Sequence, residues 1–117
     1  MARPDRAYVD TTKNIIEYLL GNNPFSMSWV TGVGAKSVMR PHHRPSATDG
    51  IDAPWPGLLA GGPNRHRQDP VLRKMPRGTP PERMYVDDQE SYASNEVAIN
   101  WNAPLVFILA GVEANEK

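Results

Sequence analysis

The stretch from Pro41 to Pro81 limits the fold more than any other part of the chain, because it holds nine prolines and five glycines. Proline fixes φ and lacks a backbone N–H, so this spacing excludes a long helix or a central strand. Seven large apolar residues lie in the same stretch: Ile51, Trp55, Leu58, Leu59, Val71, Leu72 and Met75. Disordered linkers are poor in such residues. We therefore predict a long ordered surface loop that the rest of the structure supports.

A helix is predicted before this loop. In AYVDTTKNIIEYLLGNNP, residues 7–24, the apolar positions recur near 3.6 residues, and Gly21 followed by Pro24 is a stop signal. The next segment, residues 26–37, contains Gly32 and Gly34, which make a helix unfavourable. This segment is predicted to be a loop or a short strand.

A second helix is predicted near the end of the sequence. Asn102 is a good N-cap, Pro104 fits the first turn, and the run from Leu105 to Val112 is almost wholly apolar. A helix that is apolar on every side is expected to be buried. The sequence therefore predicts a final helix that needs partners all around it.

Two helices joined by about 80 residues do not make a self-sufficient core for a chain of 117 residues. Long irregular loops inside compact domains are uncommon and are usually functional. We therefore predict an all-α fold in which this chain is part of a larger helical domain. The alternative is an obligate oligomer of short chains.

Composition excludes several classes of partner. The 13 basic residues balance the 13 acidic ones, so the chain has no overall charge that favours nucleic acid. The absence of cysteine excludes a disulfide scaffold. No apolar stretch is long enough to span a bilayer, and MARPDRAYVD lacks the apolar core of a signal peptide. We expect neither a nucleic-acid nor a membrane partner.

Two stretches carry residues suited to chemistry on sugars. Around Pro41, the side chains of Arg40, His42, His43 and Arg44 can donate several charge-assisted hydrogen bonds. Asp87 and Glu96 are close enough in sequence to meet in one pocket, and paired acids suit glycoside hydrolysis. Acids before a helix also favour its N-terminal dipole, so residue types alone leave both interpretations open.

Both stretches resemble the signature motifs of glycoside hydrolase family 9, the cellulase family. The first motif falls on Ser28, Val30, Thr31, Gly34, Lys36, Pro41, His42 and Arg44. The second falls on Tyr85, Asp87, Tyr92, Glu96, Ala98, Asn102 and Ala103. Every defined position is matched, and the resemblance extends from about Tyr8 to Ala110.

The resemblance implies a fold and a set of roles. It implies an (α/α)6 barrel, of which this chain is the C-terminal portion, with two main helices and the Pro/Gly-rich loop. It implies that Glu96 is the general acid of an inverting β-1,4-glucan hydrolase. It further implies that Asp87 supports the active site and that His42 and Arg44 contact the sugar. The resemblance also implies that the full-length protein is secreted or periplasmic.

The chain departs from the family in one respect. The family's catalytic base belongs to an Asp-Ala-Gly-Asp type of motif, and no such motif occurs here. Residues 1–117 are therefore predicted to be the C-terminal segment of a catalytic domain, inactive alone. The expected partners are the remainder of that domain and a β-glucan or cello-oligosaccharide. The alternatives are an exo-acting cellodextrinase or glucosaminidase of the same family, and a truncated chain without catalysis.

Further residues have both a functional and a structural interpretation. Trp101 either stacks on a sugar ring or packs at the head of the final helix, and Tyr92 is expected near the acid. His43 is expected to bind substrate, since neither cysteine nor a helical histidine spacing supports zinc. No cofactor is required. The oxygens of Asp49, Ile51 and Asp52 suit structural calcium, with a solvated turn as the alternative.

Overall fold

The structure is a computed structural model that describes residues 5–115. Within these residues four α-helices follow one another: α1 (Arg6–Leu19), α2 (Arg44–Thr48), α3 (Tyr92–Asn95) and α4 (Ile99–Asn115). Two 3₁₀ turns interrupt the long loop, at Leu72–Lys74 and Pro81–Arg83. The described part of the chain contains no β-strand and only isolated β-bridges. The predicted all-α class with two main helices is confirmed.

Helix α1 forms where the periodicity predicts it. The carboxylate of Asp5 caps its start by accepting a 2.9 Å hydrogen bond from the backbone N–H of Ala7. At its end, the side-chain amide of Asn23 donates to the Tyr18 carbonyl at 2.7 Å, which satisfies a carbonyl of the last turn. Gly21 follows the helix with φ 134°. The predicted stop signal is therefore confirmed.

The predicted start of the final helix is wrong. Helix α4 begins at Ile99, so Asn102 lies inside it and Pro104 lies beyond its first turn. The side chain of Asn102 does not cap the helix, because its Oδ1 accepts from the Leu59 N–H at 2.8 Å. Its Nδ2 donates to the carbonyls of Leu59, at 3.2 Å, and Ala98, at 2.8 Å. Asn102 therefore ties the long loop to α4.

Within residues 5–115 the final helix is covered on one side only, which agrees with the prediction that it needs further partners. Leu105 is the buried residue of α4, whereas Phe107 is 79% exposed and Val106 is 67% exposed. One side of α4 packs on α1, and Val9 and Thr12 share a small cavity with Ile108. The other sides remain uncovered within residues 5–115, although their composition suits burial.

Residues 26–37 and the long loop are held together without a sheet. Thr31 is fully buried, and its backbone and hydroxyl make four hydrogen bonds with residues 55–58. Isolated bridges pair Ser28 with Ser37 and Val30 with Leu59. The first of the two predictions for residues 26–37, a loop, is confirmed. The predicted order of the long loop is confirmed as well, because fixed partners satisfy its backbone.

The core lies where α1, residues 27–38 and the head of α4 meet. Its buried apolar members are Met27, Trp29, Val30, Val38, Leu59, Ala60, Tyr85 and Leu105. Three aromatic rings pack edge to face at its centre, with ring centroids 4.6 Å apart for Trp29 and Tyr85 and 5.4 Å apart for Phe25 and Trp29. This core positions the second signature stretch, since Tyr85 belongs to both.

Gly32 is a position where only glycine fits. Its φ is +69°, and a Cβ built on it lies 2.9 Å from the Cβ of Pro56. We expect Gly32→Ala to lower the free energy of unfolding by about 3 kcal/mol, from left-handed strain plus the clash. Gly78→Ala is the matched control, because Gly78 has φ +84° and open space around it, and we expect a loss of about 1 kcal/mol.

Guanidinium titration followed by tryptophan fluorescence measures both losses, since Trp29 is 1% exposed. Equal losses for the two variants would show that Pro56 moves aside at no cost.

Neither main helix is both long enough and apolar enough to cross a membrane in the part of the chain that the structure describes.

Candidate active site

Glu96 is presented by a backbone that is fixed on two sides. It follows the last residue of α3 in an extended conformation, with φ −70° and ψ 147°. Its carbonyl accepts a 2.9 Å hydrogen bond from the N–H of Gly61, and its backbone forms a parallel bridge with His42. The side chain itself is exposed. The carboxyl group is therefore accessible while the main chain that carries it is held.

A cavity of about 400 Å³ adjoins Glu96. Tyr92 and Trp101 line it on the same stretch of chain, and Gly61, Asn64 and Gln68 line it from the long loop. A larger cavity of about 820 Å³ shares Gly61, Asn64 and Trp101 with it. An acid, two aromatic residues and two amides thus line the smaller cavity, whose volume is that of a ligand site.

The two aromatic residues of this cavity are oriented by hydrogen bonds. The indole N–H of Trp101 donates to the Leu59 carbonyl at 2.9 Å, and the ring also packs against the core. The hydroxyl of Tyr92 donates to the Gln68 carbonyl at 3.0 Å, and Tyr92 is 44% exposed. For Trp101 the functional and the structural interpretation therefore coexist, because one ring both packs and lines the cavity.

His42 lies next to Glu96 through the main chain. Its N–H donates to the Asn95 carbonyl at 2.8 Å, and its ring centroid is 6.0 Å from that of Tyr92. The ring Nδ1 is 2.5 Å from the carbonyl oxygen of Gln89. A carbonyl only accepts, so Nδ1 carries the proton and, in the neutral ring, Nε2 is an acceptor. The half-buried ring can therefore accept a hydrogen bond from a hydroxyl group.

His43 and Arg44 lie at the start of α2. His43 is its N-cap, with Nδ1 2.9 Å from the Ser46 hydroxyl, and its ring packs edge to face on Trp55 with centroids 5.4 Å apart. Arg44 begins the helix and is exposed. The geometry gives His43 a structural task, and its predicted contact with substrate stays a prediction, as does that of Arg44.

Asp87 binds the backbone that leads to His42. Its two carboxylate oxygens accept hydrogen bonds of 2.8 Å from the N–H groups of Met39 and Arg40. Asn95 Nδ2 donates to the same carboxylate at 3.2 Å. Asp87 is not among the residues that line the cavity of about 400 Å³ beside Glu96, and a pocket shared by the two acids stays a prediction.

The calcium hypothesis concerns residues whose oxygens already have partners. Asp49 accepts from the Ile51 N–H at 2.9 Å and from the Trp55 indole N–H at 2.7 Å. Asp52 pairs with the Arg40 guanidinium at 2.7 Å. Between residues 5 and 115, no three His, Cys, Asp or Glu side chains cluster as a metal site requires. Calcium here stays a prediction.

One buried acid was not predicted. Asp69 is fully buried and accepts hydrogen bonds from the N–H of Leu72 at 2.6 Å, the hydroxyl of Ser91 at 3.1 Å and the N–H of Ala93 at 3.1 Å. It therefore ties the long loop to α3, immediately before Glu96. The sequence carries a partial signal, since Asp69 precedes Pro70 as an N-cap precedes a helix.

Comparison with known families and proteins gives a consistent result. The sequence model described as Glycosyl hydrolase family 9 matches residues 1–109. The chain is 47% identical over 116 residues to a xyloglucan-specific endo-β-1,4-glucanase of Bacteroides ovatus, covering 92% of this chain and 19% of that protein. It is 45% identical over 98 residues to a cellodextrinase of Butyrivibrio fibrisolvens, covering 83% of this chain and 18% of that protein.

The fold agrees with solved structures as well. The chain superposes on a thermostable endoglucanase from Alicyclobacillus acidocaldarius with a TM-score of 0.88 and 44% identity, covering 92% of this chain and 20% of the other. The chain thus spans about a fifth of the length of each of these proteins.

Proposed function

The chain belongs to glycosyl hydrolase family 9, and from this premise we propose that residues 1–117 are the C-terminal segment of a β-1,4-glucan hydrolase domain. The fold is that of the C-terminal portion of an (α/α)6 barrel. The uncovered sides of α4 support the proposal, because they are the apolar surface on which the remainder of such a domain packs. The remainder of the domain is therefore a partner of this segment.

Glu96 acts in this proposal as the general acid of an inverting mechanism. The acid protonates the oxygen of the leaving sugar, while a carboxylate outside this chain activates water on the opposite face of the ring. The observation that carries the assignment is the exposed Glu96 carboxyl beside the cavity of about 400 Å³, on a backbone fixed by Gly61 and His42. A proton donor must be both reachable and held in place.

Other residues bind the glucan in this proposal. The ring face of Trp101 stacks on the apolar C–H face of a sugar, and Tyr92 contacts the sugar beside the acid. His42 Nε2 accepts from a sugar hydroxyl, and Arg44 and His43 donate to hydroxyl oxygens near the cleavage point. Asp87 supports the active site through the backbone of residues 39 and 40.

The proposed substrate is a β-1,4-glucan, cut within the polymer. The relative from Bacteroides ovatus is a xyloglucan-specific endo-β-1,4-glucanase, which supports internal cleavage. The relative from Butyrivibrio fibrisolvens is a cellodextrinase, which keeps an exo-acting enzyme as the second candidate. A glucosaminidase is a third. Cellohexaose separates the first two, because internal cleavage gives mixed oligomers and exo cleavage gives one small product.

We expect the 117-residue chain alone to leave carboxymethylcellulose intact, since it carries no base motif of the family. Activity should appear in a hybrid in which this chain replaces the matching fifth of the Alicyclobacillus acidocaldarius endoglucanase. Reducing-sugar release from carboxymethylcellulose measures both. The reason is that cleavage needs both carboxylates, and the hybrid supplies the second.

The hybrid also tests the rival function, a truncated chain without catalysis. A hybrid that melts cooperatively but releases no sugar would favour the rival. Hydrolysis at ordinary rates by the 117-residue chain alone would contradict the proposed division of the two carboxylates.

We further propose that the full protein acts outside the cytoplasm, in the medium or the periplasm, since glucan polymers do not enter cells. Fractionation of the source cells tests this location.

A further inference from the structure

Asn95 is a fully buried polar residue for which no role was predicted. Its side-chain oxygen accepts a 2.7 Å hydrogen bond from the hydroxyl of Tyr85. Its side-chain nitrogen donates to the carbonyl of Arg40 at 2.6 Å, to Asp87 at 3.2 Å and to the carbonyl of Asp88 at 3.3 Å. Every polar atom of the amide therefore has a partner, and the partners belong to separate parts of the chain.

The orientation of this amide is fixed by its neighbours. Burial, then the charge of Asp87 and the hydrogen bond to it, raise the pKa of Tyr85 far above its usual value, so the hydroxyl stays a donor. The Arg40 and Asp88 carbonyls and the Asp87 carboxylate can only accept, so they require the nitrogen of Asn95 on their side, and its oxygen then faces the Tyr85 hydroxyl. The nitrogen then faces three acceptors, and neither an oxygen nor a methyl group could replace it there.

Asn95 contacts the backbone that carries the His42 ring and directly precedes Glu96. Its side chain binds Arg40, two residues before His42, and its backbone carbonyl accepts from the N–H of His42 itself at 2.8 Å. Glu96 is the next residue along the chain and pairs with His42 in a parallel bridge. The separation of the His42 ring from the Glu96 carboxyl therefore depends on Asn95 from both directions.

We propose that Asn95 is a positioning residue that sets the placement of Glu96 relative to His42 during glucan cleavage. It acts through these neighbours, because a residue with no exposed surface cannot touch substrate. The proposal rests on the proposed function, in which Glu96 donates the proton. A displacement of about 1 Å in such a group is enough to cost about 100-fold in rate.

The test is Asn95→Asp in the hybrid, which keeps the size of the side chain but turns an acceptor toward three acceptors. On cellohexaose we expect kcat to fall about 100-fold with KM within about threefold. On 2,4-dinitrophenyl β-cellobioside, whose leaving group needs no proton, the loss should stay below about threefold. Asn100→Asp, the same change at an exposed position of α4, is the control and should leave both rates unaltered.

A general disturbance of the fold would lower both rates equally, and that result, or no loss on either substrate, would overturn the proposal. Hydrogen exchange at the peptide containing His42, read by mass spectrometry, gives a measure independent of activity. If the unmutated hybrid is inactive on both substrates, the proposed function fails. Faster exchange in Asn95→Asp would still support the positioning role, and unaltered exchange would reject it.

Tyr85→Phe provides a milder variant for the case in which Asn95→Asp does not fold at the assay temperature. It removes the donor to the Asn95 oxygen and the longer hydrogen bond of 3.5 Å to Asp87, and leaves the three contacts of the nitrogen in place. We expect a loss of about threefold to tenfold on cellohexaose, again with little effect on the dinitrophenyl substrate. Equal losses on the two substrates would reject the role here as well.

Discussion

Glu96→Gln in the hybrid is expected to lower kcat on cellohexaose by about 1,000-fold, because a glutamine amide has no acidic proton to give to the leaving sugar. The side chain keeps its size. The hydrogen bond from Gly61 and the bridge to His42 both belong to the main chain, so they survive the change. The melting temperature should therefore remain within the error of the measurement while the rate falls.

The substrate dependence identifies which step is lost. A dinitrophenyl glycoside leaves without protonation, so Glu96→Gln should reduce its hydrolysis by less than about tenfold. Glu90→Gln is the matched control, since Glu90 is an exposed acid in the same signature stretch and its substitution should give unaltered rates on both substrates. Equal rates for Glu96→Gln and the unmutated hybrid on cellohexaose would assign the proton donor to another residue.

Asp87→Asn is expected to lower the free energy of unfolding by about 3 kcal/mol. The carboxylate accepts from Met39, Arg40 and Asn95, and an amide of the same shape cannot accept at both ends. One end of the new side chain would place a donor against a backbone N–H. Guanidinium titration of the hybrid measures the loss.

Asp88→Asn separates this effect from a simple change of charge. Asp88 is the neighbouring acid, it is exposed, and it accepts locally from the N–H of Glu90 at 2.8 Å. We expect a loss below about 0.5 kcal/mol for it. If Asp87→Asn were as stable as Asp88→Asn, the carboxylate would not be what holds residues 39 and 40 in place.

Local pattern predicted the elements that local chemistry determines. Periodicity located α1, and the apolar residues among the prolines predicted an ordered loop, because both signals lie within a short window. The start of α4 was predicted wrongly. Asparagine is a favourable N-cap residue, but the side chain of Asn102 binds the backbone of Leu59 instead. That pairing is a property of the tertiary structure.

The candidate site likewise contains residues that the sequence predicted and residues that only the tertiary structure shows. The signature stretches brought Glu96, His42 and Trp101 to attention through residue type and order. The burial of Asn95 and Asp69 could not be predicted, because asparagine and aspartate are usually exposed. Only the folded chain shows that Asp69 meets Ser91 and that Asn95 meets Arg40. Their importance comes from partners that are distant in sequence.

The isolated bridges have a consequence for how the segment is made. His42 pairs with Glu96, and Ala60 pairs with Val97. Both pairings therefore need one of two adjacent residues that come much later in the sequence. Contacts between distant residues form late in folding because a long loop must close first. During synthesis the His42 region must therefore stay unpaired on that side until Glu96 has left the ribosome.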